Sequence, residues 1–131
     1  MEGPIELAEQ LYATADEDDP EPFLALCAPD AVIAYPAKGH LPYGGEWRGP
    51  AEIRSFLAAH DAAEEILVFE PFEMIARGQT VVVLGQFEGR AKPGTRTWST
   101  RFVHVLSFDD GLLERWEAFF DTATAVQAHG Q

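Results

Sequence analysis

Cysteine is nearly missing from this sequence: Cys27 is the only one in 131 residues. A single thiol excludes an intramolecular disulfide and any cysteine-built metal site. Placed among Leu24, Leu26 and Ala28, it reads as a buried, inert thiol. Basic residues are also scarce. Nine Lys and Arg face 22 Asp and Glu, for a formal net charge of -13. Binding to phosphates needs Lys and Arg, so nucleic acid and anionic membrane surfaces are disfavoured as partners. The first basic residue is Lys38, and nine acids precede it, which we read as an acidic helical surface. No apolar run approaches the roughly 20 residues that span a bilayer. Met1-Glu2-Gly3-Pro4 is acidic where a signal peptide is basic, so a cytoplasmic location is expected. The four His show no close pairing, so no metal site is expected. Gly-rich phosphate loops and Ser-His-Asp signatures are absent as well.

What the chain does have is core material. It is 47% hydrophobic, with nine Phe, three Trp and three Tyr. At this length one domain over residues 1–131 is expected, burying roughly two-thirds of the unfolded surface. Ile5, Ala8, Leu11, Tyr12 and Ala15 recur at helical spacing. A short second helix follows near 21–26, then a strand near 31–35. Residues 36–49 hold two Pro, four Gly and His40, and read as a loop. Gly49-Pro50-Ala51-Glu52 opens a third helix. Four strands follow, near 66–76, 80–91, 97–108 and 112–122. Gly85 and Gly89 read as allowing sheet curvature. The pattern is α+β: a curved, mostly antiparallel sheet with about three helices on its concave face.

The last hairpin carries the most chemistry. Asp110-Gly111 is a two-residue turn signal. Counting outward without interruption pairs His104 with Glu117, Phe102 with Phe119 and Thr100 with Asp121. One face then holds Trp98, Phe102, His104, Arg115, Glu117, Phe119 and Asp121. The other holds Arg101, Val103, Val105, Trp116 and Phe120. Both faces are largely apolar, so both need cover: the helices for one, a second subunit for the other. A slip of one residue would exchange the faces. His104, Glu117 and Asp121 are then either a satisfied cross-strand pair with a strand-end carboxylate, or acid/base groups lining an apolar pocket.

Three stretches carry a family resemblance: Leu41 to Ile53, with its Pro-Tyr-Gly-Gly run; Phe102 to Gly111; and Arg115 to Thr122, ending Asp-Thr. Through them nearly the whole chain resembles the cone-shaped nuclear transport factor 2-like fold, and within it the SnoaL-like, ketosteroid isomerase-related proteins. The resemblance implies a pocket inside the cone, a homodimer packed through the sheets, and no metal or organic cofactor. It matches the family's closing-strand Asp to Asp121 and its penultimate-strand His to His104. It puts His40, Tyr43 and Trp47 at the mouth of the cone. Ketosteroid isomerase itself uses a carboxylate base with neutral oxyanion donors. Here Tyr35-Pro36-Ala37-Lys38 has no carboxylate where that isomerase places its base, which argues against steroid isomerisation.

The expected function is binding of a small, apolar, oxygenated molecule, with cofactor-free acid/base chemistry. Asp121 would be the principal acid or base, His104 its partner, and Glu117 the group orienting His104. Tyr12, Trp98, Phe102 and Phe119 would form the apolar wall. The alternatives are a non-catalytic binding dimer and a scaffold with a filled cone.

Overall fold

A computed structural model describes residues 3–130. Helix α1 (Pro4–Ala15) has Pro at its start and buries Leu7, Ala8 and Leu11. Helix α2 (Glu21–Ala25) buries Phe23. Strand β1 (Cys27–Tyr35) then runs into the core through the buried residues Ala31, Val32, Ile33 and Ala34. The segment read as one loop contains a further strand, β2 (Gly45–Arg48), paired antiparallel with β1. Four residues are too few to show a period against so many Gly and Pro.

Helix α3 (Gly49–Ala63) again begins with Pro and buries Ile53, Phe56 and Ala63. The chain passes directly from it into β3 (Glu64–Arg77), followed by β4 (Thr80–Ala91), β5 (Thr97–Asp109) and β6 (Leu112–Phe120). The order across the six-stranded sheet is β2-β1-β6-β5-β4-β3, and only the β1–β6 pairing is parallel. Ladder irregularities fall near Leu67 and near Pro71–Phe72 in β3. A fourth helix, α4 (Thr122–Ala128), follows where a longer closing strand was expected. Its seven residues are too short to display helical periodicity.

The expected register of the last hairpin needs correcting. The turn is as read: Asp110 and Gly111 have φ of 53° and 79°, and Asp109 pairs with Leu112. Phe108 pairs with Leu113, but Ser107 pairs with Arg115, so Glu114 has no counterpart. This bulge reverses every later residue of β6. His104 now faces Ala118, Phe102 faces Phe120, and Leu106 faces Trp116. An uninterrupted ladder would have turned Arg115 and Glu117 toward the core. The bulge buries Trp116 and Ala118 instead and leaves both charges half-exposed.

Candidate functional site

Alternation along β4 and β5 turns Val81, Val83, Phe87, Trp98, Phe102 and His104 to the helix side of the sheet. Past the bulge, β6 adds Trp116 and Phe120. With α1 and α3 these strands enclose a cavity of about 900 Å³, within the usual range for small-molecule sites. Its lining includes Tyr12, Tyr35, Tyr43, Phe56, His60, Glu64, Phe69, Trp98, Phe102, His104, Trp116 and Phe120. Gly85 gives Phe102 its place, because a Cβ there would stand 2.2 Å from the Phe102 ring.

Two polar groupings face this cavity. In the first, Tyr12 Oη lies 2.8 Å from His104 Nδ1. The His104 ring packs 4.4 Å from Phe102 and 5.0 Å from Trp116, centroid to centroid. Desolvation lowers its pKa to about 3, helped by the nearby His60, so the imidazole is neutral. Burial pushes the Tyr12 phenol up, so it keeps its proton. His104 makes no second hydrogen bond among the described residues. Trp116 Nε1 is the only buried side-chain nitrogen or oxygen there without a partner. His104 Nε2 therefore keeps surface open to the cavity its ring lines. Tyr35 lies beside the pair, 6.5 Å from the His104 ring.

The second grouping centres on Glu64, which is 2% exposed. Its Oε1 accepts from Tyr43 Oη at 2.9 Å and Trp98 Nε1 at 3.1 Å, and lies 2.5 Å from His129 Nε2. The last contact ties the end of α4 to the start of β3. Gly89 leaves room for this carboxylate, since a Cβ there would fall 2.7 Å from Glu64 Oε2. Glu64 stands where α3 ends, and its local sequence gives no sign of this role. Nothing in local sequence links residues 64 and 129.

The cavity thus brings together five of the expected site residues: Tyr12, Tyr43, Trp98, Phe102 and His104. The other five lie outside its lining. Asp121 is exposed and caps α4, accepting from Thr124 N at 3.1 Å and Thr124 Oγ1 at 2.7 Å. Those bonds lower its pKa. Glu117 is half-exposed, 3.7 Å from Arg115, and Phe119 is 48% exposed, both turned outward by the bulge. His40 is exposed. Trp47 donates to the Tyr43 carbonyl at 3.1 Å and packs on Phe56. Among the described residues no cluster of His, Cys, Asp or Glu is placed to hold a metal ion. No described helix is long and apolar enough to cross a membrane.

Residues 8–116 match the SnoaL-like domain, and the chain belongs to that family. A nuclear transport factor 2-like protein of unknown function from Burkholderia pseudomallei is 28% identical, each chain covered completely, with a TM-score of 0.89. TerC, co-crystallised with polyporic acid, is 30% identical over 98% of both chains, with a TM-score of 0.83. A nuclear transport factor 2-like protein from Burkholderia xenovorans is 25% identical over 97% of this chain and 95% of its own, with a TM-score of 0.89. No curated protein matches this chain. The fold is therefore the α+β, cone-shaped nuclear transport factor 2-like fold.

Proposed function

We propose that this protein is a cofactor-free acid/base enzyme acting on an apolar, oxygenated small molecule held in the cavity. The observation that carries this reading is the Tyr12–His104 pair, with one ring nitrogen engaged and the other open. With Nδ1 protonated and donating to Tyr12 Oη, the Nε2 lone pair takes a proton from the carbon beside a substrate carbonyl. The product is an enolate beside an imidazolium whose Nδ1–H stays bonded to Tyr12 Oη. Return of the proton from Nε2 to a different carbon completes an isomerisation. Each charge forms against the other, which offsets part of the cost that burial sets on the imidazolium. Asp121, exposed and engaged by Thr124, keeps a capping role in this scheme. The relative co-crystallised with polyporic acid supports the cavity as a ligand site.

Non-catalytic binding is the second reading. It is favoured by the low pKa of His104, which makes a weak base at neutral pH. Solvent-deuterium exchange at C1 of 2-tetralone, an enolisable ketone whose C1 is benzylic, separates the two. Followed by proton NMR, exchange should be accelerated by the protein and lost in both His104→Phe and Tyr12→Phe. Binding without accelerated exchange selects the second reading. No binding and no exchange would defeat both.

The outer face of the sheet supports a homodimer. Phe72, Ile75 and Phe119 are each about half exposed there. Val82, Leu84, Val103 and Val105 are only partly covered. A stable pair needs roughly 1,200 Å² of total buried surface. Sedimentation at tens of micromolar should show a dimer that Phe119→Glu dissociates. A wild-type monomer would refute this assembly. The composition supports placing this protein in the cytoplasm.

A further inference from the structure

His60 is a polar cavity group that the proton transfer above leaves unused. It sits in the last turn of α3, with its ring centroid 4.5 Å from Tyr43, 6.1 Å from Phe56 and 6.2 Å from Tyr35. The aromatic neighbours fix the ring, yet neither of its nitrogens has a partner among the described residues. Neither is among the fully buried unpartnered atoms, so both keep accessible surface on a ring that lines the cavity. His129, in the same molecule, shows the contrary case: its Nε2 is taken up by Glu64. A ring packed on aromatics with two idle nitrogens is arranged for a partner from outside the chain.

Tyr35 relates this group to the first. Its ring lies 6.2 Å from His60 and 6.5 Å from His104, so both imidazoles border one aromatic side chain of the cavity lining. Desolvation lowers the His60 pKa to about 4, with His129 also lowering it and Asp61 opposing. A neutral imidazole offers one donor and one acceptor, which complements a hydroxyl or a carbonyl.

We infer that the ligand of this site is an aromatic molecule with two separated oxygen functions, one met by the His104–Tyr12 pair and the other by His60. This rests on the proposed use of the cavity as a ligand site. His60 is then a specificity-determining residue. It selects the doubly oxygenated ligand and takes no part in the proton transfer.

Two probes test it: 2-naphthol, with one hydroxyl, and 2,6-dihydroxynaphthalene, with hydroxyls at opposite ends. Titration calorimetry on the full chain should show the diol binding about tenfold tighter, the scale of one net hydrogen bond. His60→Phe should abolish that preference and leave 2-naphthol binding within about twofold. His60→Gln, which keeps a donor and an acceptor, should restore part of it. A purely structural His60 would weaken both probes equally. Equal affinities in the wild type, or a preference that survives in His60→Phe, would overturn the inference and leave the His104–Tyr12 reading standing. If His60→Phe does not fold, the wild-type ratio and His60→Gln still decide. Failure of both probes to bind the wild type would overturn the ligand-site reading and this inference with it.

Discussion

The two polar groupings on the cavity share one apolar wall and differ in satisfaction. Glu64 is surrounded: Tyr43, Trp98 and His129 all meet Oε1, and Trp98 also reaches Oε2 at 3.2 Å. His104 has one partner, Tyr12, and an open nitrogen. A saturated buried group holds elements together, and further contacts have nowhere to attach. A half-satisfied one retains bonding capacity that a ligand can use. The lesson is that the more heavily bonded group is the structural one, even though a buried carboxylate draws more notice than a neutral imidazole.

The largest effect is expected at Glu64. Glu64→Leu leaves three donors facing an apolar group and cuts the tie between α4 and β3. The expected loss is about 3–5 kcal/mol of unfolding free energy, measured in urea. A loss under 1 kcal/mol would mean the cluster is dispensable. The opposite pattern is expected at His104. His104→Phe should keep the fold and lower 2-tetralone exchange on the order of a hundredfold, the scale of one acid/base group.

Acid should sharpen the contrast. The His104 pKa is about 3 in the folded chain and about 6.5 when unfolded. Between those values the unfolded chain binds more protons. The contribution of His104 is therefore complete above pH 6.5 and is lost as pH falls toward 3. His60, with a pKa of about 4, acts in the same direction. In His104→Phe the slope of stability on pH in this window should drop by about 1.4 kcal/mol per pH unit. An unchanged slope would mean His104 is not held neutral. The smallest effect is expected at Asp121. Asn caps a helix as well as Asp, so Asp121→Asn should leave exchange and binding within about twofold. A hundredfold loss would return the proton chemistry to that carboxylate.

Much of this fold is legible in local sequence. Pro starts, Gly turns and period-two strands place α1, α3 and the β3–β6 meander close to where they lie. His104 and Phe102 fall on the inner face because β5 alternates without a break. What is not legible is a single inserted residue. Glu114 and Arg115, adjacent charges before Trp116, mark the bulge that sends Glu117 and Phe119 outward. The other misses are long-range. Tyr12 and His104 are 92 positions apart, and Glu64 and His129 are 65 apart. No local pattern pairs them, and Asp121 resembles a site carboxylate until the short α4 shows it to be a cap.

Both groupings can be watched at once. Imidazole nitrogen-15 shifts of His104 and His129, assigned by the loss of each signal in His104→Phe and His129→Gln, can be followed while 2-naphthol is titrated in. Binding should move the His104 Nε2 signal while the His129 signals stay in place. Movement of His129 with His104 unchanged would contradict this expectation.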